Sequence, residues 1–450
     1  MRLLGQTEKQ WIVEGNESFQ NICLYCTLKG NVTPQEIKES VKSVLQQNPT
    51  LKLVVQKLNG ELSLCSSSNS HLPLQIFTKK REDFGLEFFH NRLNKNLDTS
   101  KSLIKIYFFE DPSSAHKNEL VIFAHPVLLD AHGVVQVLND IVKYSSKNNR
   151  LELGEENINQ VAPSLDSILY LENRIKGNFG FFKEVVEKVS EDIWTKPTFF
   201  EPRFQSRIQE THTLHSVIDA SVFQKLKAKC VEKNIPWSVA ISYLCGAISA
   251  ELLHLFGVPS GTQRFLKLSN LRRLALTKSG LERMGNYSLP SLLSFDFLDS
   301  QSYWKNIRSF QKLLLQNKKS RFHFNNILFF EPYLTWNKAF GRETLNNFAL
   351  EFVQDQQQNN YKSISCEGIR LSRSLKGIKS CTSHTFIERN NKLYMTFSFL
   401  KNYLTIEDGT FFTNLFHEKL EKIVDHNNGA SQIHMPISRT QNFNMYREPE

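Results

Sequence analysis

Two histidines and one aspartate lie close together between Phe123 and Gly133, and their types could support proton transfer. They are His125, Asp130 and His132. A neutral imidazole can take the proton of a hydroxyl or amine as that group attacks a carbonyl carbon, which typically contributes about 10² to 10⁴ in rate. A carboxylate beside a helix start either caps the helix or pairs with an arginine. The segment is therefore a candidate site for general base catalysis.

Other patterns that could carry chemistry are weaker in this sequence. Cys23 and Cys26 form a C-x-x-C, but they lie in a strand-like run, and no nearby residues supply the other ligands of a metal. His212 and His215 are three residues apart on a predicted strand, which places their side chains on opposite faces. The sequence contains no nucleophile elbow, phosphate-binding loop, dinucleotide fingerprint or zinc-protease helix. We therefore predict no metal site and no permanently bound cofactor.

The elements that must position the candidate site are predicted to be a strand, a polar loop and a helix. Leu103 to Phe109 and Leu120 to Ala124 have strand character and are separated by a turn-rich segment, so a hairpin ends at His125. Apolar residues from Val134 to Tyr144 recur at helical spacing. Asp130 therefore lies in a loop that leads into a helix N-terminus.

The flanking patterns indicate an α/β fold with mixed sheets and helices in two lobes. The N-terminal lobe, 1–160, opens with a strand from Phe19 to Leu28, a helix from Pro34 to Gln47 and a strand from Leu51 to Val55. A more polar and irregular segment, 161–205, is predicted to be a crossover linker.

The C-terminal lobe, 206–450, repeats this alternation of strands and helices. Its predicted strands are Thr211 to Ile218, Leu266 to Arg273, Leu289 to Phe297 and Lys392 to Phe399. Its predicted helices are Ser221 to Lys233, a long apolar helix that starts at Pro236, and Ile406 to about Val424. No internal repeat is visible in the sequence itself.

The composition is that of a folded chain in a reducing compartment. Of the 450 residues, 40% are hydrophobic and only 22% are charged, which argues against extended disorder. The seven cysteines are odd in number and scattered, unlike those of a disulfide-stapled secreted fold. We find neither an apolar run long enough to span a membrane nor a signal-peptide start, so we expect a cytoplasmic protein.

The net charge of +10 suits an anionic partner. A nucleotide-bearing cofactor, an acidic carrier protein, nucleic acid and an anionic membrane all fit the sign of the charge. The basic residues are dispersed, and no recognition motif for nucleic acid accompanies them. We therefore expect no nucleic-acid partner.

The segment from Phe123 to Gly133 and the helix that follows it resemble the HHxxxDG motif of the condensation-domain and acyltransferase superfamily. That superfamily includes peptide-synthetase condensation domains, alcohol acetyltransferases and polyketide-associated acyltransferases. Three further stretches agree with it in order and spacing, so that the resemblance covers nearly the whole chain: Leu28 to Lys52, Asn270 to Arg273 followed by Gly285-Asn286, and Lys392 to Val424.

The resemblance implies two chloramphenicol acetyltransferase-like lobes that form a V-shaped pseudo-dimer with a tunnel between them. Members transfer an acyl group from coenzyme A, or from a carrier-bound pantetheine thioester, to an alcohol or an amine. The second histidine of the motif is the general base, and the aspartate is mainly structural. For this chain the resemblance implies acyl-coenzyme A as co-substrate, an acyl carrier protein as the alternative donor, and a monomer.

Two positions depart from the family motif. Pro126 stands where the family has its catalytic histidine, and a proline cannot accept a proton. Ala131 replaces the motif glycine, a change that is costly if that position needs a positive φ. His125 matches the first histidine and should face away from the tunnel unless the loop bulges by one residue.

The candidate residues therefore carry alternative interpretations. His125 is either a shifted base or a strand-end histidine bonded to backbone, and His132 is either a base at the mouth of the helix or an ordinary helix-start histidine. Asp130 is expected to cap the helix or to pair with Arg272 or Arg273, and both roles are structural. Two hypotheses follow: an acyltransferase with a rearranged motif, or a catalytically degenerate relative that acts as a binding or docking module.

Overall fold

The architecture comes from a computed structural model, which describes residues 2–13, 21–67, 72–79, 84–113, 117–146, 190, 197–204, 210–258, 261–272, 284–297, 303–319, 346–354 and 364–425. Arg273, most of the predicted linker 161–205 and the tail after 425 lie outside the described residues. The predicted α/β class with mixed sheets is confirmed. The lobe boundaries and the V-shaped pseudo-dimer stay predictions.

The elements of the first lobe alternate between strands and helices. In chain order they are β1 (Arg2–Leu3), α1 (Gln6–Val13), β2 (Ile22–Lys29), α2 (Pro34–Gln47), β3 (Leu53–Leu58), β4 (Glu61–Ser66), β5 (Leu74–Thr78), α3 (Phe84–Leu93), β6 (Ile104–Glu110), β7 (Asn118–Ala124) and α4 (Ala131–Ser145).

The elements of the second half follow the same alternation. They are β8 (Thr211–Ile218), α5 (Ala220–Glu232), α6 (Trp237–Leu255), β9 (Gln263–Asn270), β10 (Ser288–Phe295), α7 (Tyr303–Lys319), β11 (Asn346–Gln354), β12 (Ser365–Arg373), α8 (Leu375–Ile378), β13 (Ser380–Arg389), β14 (Lys392–Leu400) and α9 (Ile406–Asp425).

One strand connects the two halves of the chain. The five-stranded sheet of the first lobe has the order β12-β2-β7-β6-β5, so that its edge strand comes from the second half. β12 pairs antiparallel with β2, with Leu371 opposite Leu24. The second lobe keeps a six-stranded sheet, β10-β9-β11-β13-β14-β8, and a small sheet β1-β4-β3 completes the first lobe. The five-stranded sheet therefore contains strands from both halves of the chain, whereas all six strands of the other large sheet come from the second half.

The packing of the helices defines two faces for each large sheet. Helices α2 and α4 bury one face of the five-stranded sheet, and α3 buries the other. Helices α5, α6, α7 and α9 bury one face of the six-stranded sheet. Its opposite face is turned toward the first lobe, because Ile387 and Tyr394 share a core with α4, and Arg389 donates to Asn139 of α4 at 3.1 Å. Helix α4 thus lies between the two sheets.

Local signals fix several boundaries. Helix α2 begins at Pro34 as predicted, because Thr33 and Glu36 form a reciprocal capping box. A 3₁₀ turn occupies Pro49–Lys52, so β3 starts two residues later than the predicted Leu51. The prediction that Arg272 lies on a strand is wrong: β9 ends at Asn270, whose Oδ1 accepts from the backbone N–H of Arg272 at 2.8 Å and turns the chain out of the ladder.

Helix α6 is unusually apolar. By length and composition alone it could cross a membrane, and among the described helices it alone passes that test. Most of it is buried inside the protein, against the six-stranded sheet and helices α5, α7 and α9. This burial is typical of the core helix of a globular lobe, which needs an apolar surface on every side.

His384 is a buried polar group in the centre of the second lobe. Its ring stacks on Phe397 and Phe412, with centroid separations of 4.9 and 4.8 Å, and neither ring nitrogen has a hydrogen-bond partner among the described residues. Burial lowers the pKa of His384 to about 3. The imidazole is therefore neutral in the folded protein, and its polar atoms cost stability.

We predict that His384→Phe stabilises the protein. A phenyl ring keeps the stacking and removes the unpaired nitrogens, so the free energy of unfolding should rise by about 1–3 kcal/mol at pH 7. The advantage should grow on acidification, because the unfolded histidine binds a proton below about pH 6.5 and the folded one does not until about pH 3. The gain at pH 5 should exceed that at pH 7 by about 2 kcal/mol.

Denaturant unfolding of both proteins at the two pH values checks this prediction. The other histidines are common to both proteins, so the difference between their free energies of unfolding reports on His384 alone. An advantage that does not change between pH 7 and pH 5 would show that His384 is protonated or hydrogen-bonded in the folded state.

Candidate active site

The candidate site lies where the chain passes from β7 to α4. The backbone N–H of His125 donates to Leu103 O at 2.9 Å, which extends the hairpin by one residue. Leu128 N–H then donates to His125 O at 2.9 Å and closes a tight turn. Asp130 has extended backbone and is the N-cap of α4, with Val134 N–H donating to its carbonyl at 3.0 Å. The predicted order of strand, loop and helix is therefore present.

Asp130 is fully buried, and both of its carboxylate oxygens accept hydrogen bonds. Oδ1 accepts from the Gly133 N–H at 2.7 Å, and Oδ2 accepts from Arg272 Nη1 at 2.5 Å and from the Tyr287 N–H at 2.9 Å. Burial alone would raise the pKa of Asp130, but the Arg272 guanidinium and these donors hold it below its ordinary value. Asp130 is thus a permanent anion that fastens the loop, not a group that exchanges protons.

Arg272 brings the second half of the chain to this loop. Its Nη2 donates to Gly285 O at 2.8 Å, and its guanidinium carbon lies 4.9 Å from the centroid of the Tyr287 ring. Asn286 Nδ2 donates to Pro126 O at 2.6 Å. The resemblance singled out Gly285-Asn286 without a role for either residue. Their function here is structural: they hold the loop and the arginine in place.

The altered glycine position is tolerated for a simple reason. Ala131 is the first residue of α4 and adopts helical backbone, so the positive φ that would penalise alanine does not arise. Space is tighter two residues later, where a Cβ on Gly133 would lie 3.0 Å from Leu129 and 3.3 Å from Asp130 Oδ1. The glycine that the loop needs is therefore Gly133.

His125 is almost completely buried, with 6% of its surface exposed. Its Nδ1 accepts a hydrogen bond from the Val127 N–H at 3.2 Å, which assigns the ring proton to Nε2. Burial lowers the pKa of His125 to about 4. In this arrangement the ring is neutral, and its lone pair is already occupied.

His132 is half-buried on the first turn of α4. Burial lowers the pKa of its imidazole, Asp130 and Glu351 oppose that effect, and Arg272 and Arg373 add to it, with a net decrease. The positive end of the helix dipole also disfavours a charged ring there. No hydrogen bond involves the His132 side chain among the described residues. Its lone pair is therefore available to a bound molecule.

A second buried ion pair acts electrostatically on His132. Arg373 of β12 donates from Nε and Nη2 to the two carboxylate oxygens of Glu351 on β11, at 2.6 and 2.7 Å. Both side chains are buried, and although burial would lower the pKa of Arg373, Glu351 and Asp130 raise it overall. The sequence pattern did not predict this pair. The available signal was a single acidic residue inside the apolar strand β11.

The remaining sequence candidates are not brought to this site. No cluster of three or more possible metal ligands occurs among the described residues. The seven cysteines are all buried as free thiols. His215 bonds to Thr213 and Thr396 at 3.1 Å each, whereas His212 stacks on Phe399 on the opposite face of β8. The interpretation of these histidines as structural agrees with their contacts.

Comparison with known proteins gives similarity in structure but not in sequence. No family model and no curated protein matches the chain. The trichothecene 15-O-acetyltransferase TRI3 of Fusarium sporotrichioides is similar with a TM-score of 0.72 and 12% identity, over 93% of this chain and 94% of that one. Polyketide synthase associated protein 5 of Mycobacterium tuberculosis is similar with a TM-score of 0.66 and 11% identity, over 94% of this chain and 98% of that one.

A third solved structure is a complex rather than a single enzyme. The X-domain from teicoplanin biosynthesis, solved with OxyB, is similar with a TM-score of 0.61 and 12% identity, over 94% of this chain and 93% of the X-domain. Epimerization and cyclization domains of peptide synthetases are similar as well. The resemblance is therefore confirmed at the level of the fold: the chain has the fold of the condensation-domain and acyltransferase superfamily.

Proposed function

We propose that the protein is an acyltransferase that moves an acyl group from a thioester to an alcohol or an amine, with His132 as the general base. One observation carries the proposal: the His132 imidazole is neutral and half-buried, has no hydrogen bond among the described residues, and lies two residues after the fixed Asp130. An imidazole in that state can accept a proton at neutral pH. Pro126, at the position of the family base, has no group that can do so.

His132 is preferred to His125 because of the hydrogen bonds of the two rings. The lone pair on His125 Nδ1 is occupied by the Val127 N–H, and its Nε2 carries the proton. His125 could therefore donate a hydrogen bond but could accept a proton only after its tautomer changed. His132 needs no such change.

The proposed reaction uses the residues as follows. The acceptor's hydroxyl or amine gives its proton to His132 as its oxygen or nitrogen attacks the thioester carbonyl carbon. The tetrahedral intermediate collapses, the carbon–sulfur bond breaks, and the imidazolium returns the proton to the leaving thiolate. Asp130 and Arg272 stay ionised throughout and hold the first turn of α4.

The donor is proposed to be acyl-coenzyme A, with a carrier-bound thioester as the alternative. Both donors are anionic, and the net charge of +10 favours either. Similar structures include an acetyltransferase and a cyclization-docking bidomain of a peptide synthetase, which supports both types of donor. A cytoplasmic monomer without a resident cofactor is part of the same proposal.

A second candidate function is that of a non-catalytic binding or docking module. It is supported by Pro126 and by the occupied lone pair of His125, since both remove the base that the family motif normally provides. The X-domain, which has the same fold, was solved in complex with OxyB. This alternative predicts ligand or protein binding without turnover.

We predict that His132→Gln abolishes most of the turnover. Release of free coenzyme A should be measured with acyl-coenzyme A donors of several lengths and a panel of alcohols and amines. The variant should lower kcat by about 10² to 10⁴, because glutamine keeps the size and polarity of histidine but cannot act as a base. His125→Asn should lower kcat much less, since asparagine Oδ1 can replace Nδ1 as the acceptor for Val127.

His212→Gln is a matched control, because His212 is also half-buried but lies on the far face of β8. Loss of turnover in His125→Asn with retention in His132→Gln would reverse the assignment of the base. Wild-type protein that is folded and binds coenzyme A, but turns over no acceptor in the panel, would favour the docking module.

We also predict an acid limb in the pH–rate profile that lies below pH 6.5. The reaction needs neutral His132, and burial lowers the pKa of its ring, so activity should persist through the ordinary pKa range of histidine and fall at more acidic pH. The pH dependence of kcat/KM, measured with a fixed donor and acceptor, checks this expectation. A limb centred above pH 6.5, or one that persists in His132→Gln, would assign the titrating group to another residue.

A further inference from the structure

Two hydroxyl groups on β13 are buried without a hydrogen-bond partner. Ser383 Oγ and Thr385 Oγ1 make no hydrogen bond within the described part of the chain, and each residue is 1% exposed. Other hydroxyls of the same strand are satisfied: Ser380 donates to Thr382 O at 2.7 Å, and Thr382 donates to Asn347 O at 3.2 Å. An unpaired buried hydroxyl costs roughly 1–3 kcal/mol, so a pair of them calls for a physical explanation.

Both hydroxyls are turned toward the first lobe. Successive side chains of a strand alternate between faces, and His384, between them, stacks against Phe412 of α9 on the core side. On the face of Ser383 and Thr385, Ile387 joins the core that contains α4, and Arg389 donates to Asn139 of that helix. The unpaired hydroxyls therefore lie on the side of the sheet where α4 begins.

The strand on one side of β13 accounts for its own hydroxyls. Thr396 of β14, opposite Thr385, accepts from the Leu371 N–H at 3.3 Å, and Ser398, opposite Ser383, bonds to Ser372 at 2.8 Å. These contacts are made with β12. Ser383 and Thr385 belong to β13, which is one strand further from β8 than β14 is. Their hydroxyls make no such hydrogen bond to β12.

The strand on the other side places the hydroxyls near the proposed base. Ala349 and Glu351 of β11 are the register partners of Ser383 and Thr385. Alanine adds only a methyl group beside Ser383. Glu351 is bound to Arg373, which also belongs to the electrostatic surroundings of His132. Thr385 is therefore the register partner of a residue whose charge acts on His132.

The charge balance of this region selects the kind of group that fits it. Both oxygens of Glu351 are bound to Arg373, so the pair is neutral as a whole, and neither member is free to balance an added charge. A hydroxyl can donate one hydrogen bond and accept two. The complement of two such groups in a neutral, buried setting is an uncharged hydroxyl, ether or amide. An alkyl group there would leave both hydroxyls unpaired.

We propose that Ser383 and Thr385 form a subsite that binds an uncharged hydrogen-bonding group of the acceptor substrate. The inference rests on the proposed function for its place in the reaction, but the binding itself does not require catalysis. It makes the acceptor a polar molecule such as a polyol, an amino alcohol or an amide, not a plain alkyl alcohol. The subsite supplies selectivity, while His132 supplies the base.

The test compares acceptors of equal chain length that differ only in polarity. Hexan-1-ol is paired with diethylene glycol, and hexylamine with 2-(2-aminoethoxy)ethanol. Wild-type protein should prefer the polar member by about 10- to 100-fold in kcat/KM, as expected for one or two buried hydrogen bonds. In the double variant Ser383→Ala with Thr385→Val, kcat/KM for the polar member should fall until the preference is lost. The kcat/KM for the alkyl member should not fall.

The same preference is measured without catalysis by titrating the four compounds into wild-type and variant protein and recording their dissociation constants by ligand-observed NMR. This measurement separates two kinds of failure. If nothing turns over but polar compounds still bind more tightly to wild type than to the variant, the proposed function fails and the subsite stands. If turnover occurs without any polar preference, the subsite fails and the proposed function stands.

Stability provides a further readout and a matched control. Because the two hydroxyls have no partner in the described part of the chain, the double variant should unfold at the same or a higher denaturant concentration than wild type. Ser216→Ala removes another buried, unpaired hydroxyl on the core-facing side of β8, so it should act similarly on stability and leave acceptor preference unchanged. A double variant destabilised by more than about 1 kcal/mol would show that the hydroxyls have a structural partner, which overturns the proposal.

Discussion

The ion pair between Asp130 and Arg272 is the constraint on which the candidate site depends. A fully buried carboxylate is strongly disfavoured unless charge and hydrogen bonds compensate it, and here three donors do so. Two of those donors, the Arg272 side chain and the Tyr287 backbone, come from the second half of the chain. The loop after β7 and the start of α4 can therefore adopt this arrangement only when both halves are in contact.

Around this fixed point the two motif histidines have different environments. The lone pair of His125 accepts a hydrogen bond from the backbone, whereas His132 lies on the first turn of α4, where the charges of two ion pairs act on it. Neither ring carries charge at neutral pH, but of the two only His132 has an acceptor nitrogen without a partner among the described residues. A loop with proline at position 126 thus still contains one neutral imidazole that can accept a proton. The difference lies in hydrogen bonding, not in the depth of burial alone.

The local parts of this arrangement follow from the sequence, and the long-range parts do not. Helix α2 was predicted at its observed bounds because its capping box, proline and breaker are all local signals. The sequence left open whether Asp130 caps the helix or pairs with Arg272 or Arg273, and the structure shows the cap and the pair with Arg272 together. The pairing of β12 with β2 and the bond from Glu351 to Arg373 join residues whose proximity leaves no periodic pattern in the chain. The unpaired Ser383 and Thr385 likewise become visible only once their neighbours are known.

The position of β12 has a consequence for synthesis of the chain. Strand β2 ends at Lys29, but the strand that covers its edge begins at Ser365. At translation rates of about 5–20 residues per second, that edge waits roughly 15 to 70 seconds for its partner. An open edge is a template for pairing with other chains, and the strand that waits here is almost entirely apolar. The nascent first lobe therefore exposes the edge of β2 to pairing with other chains until β12 has been synthesised.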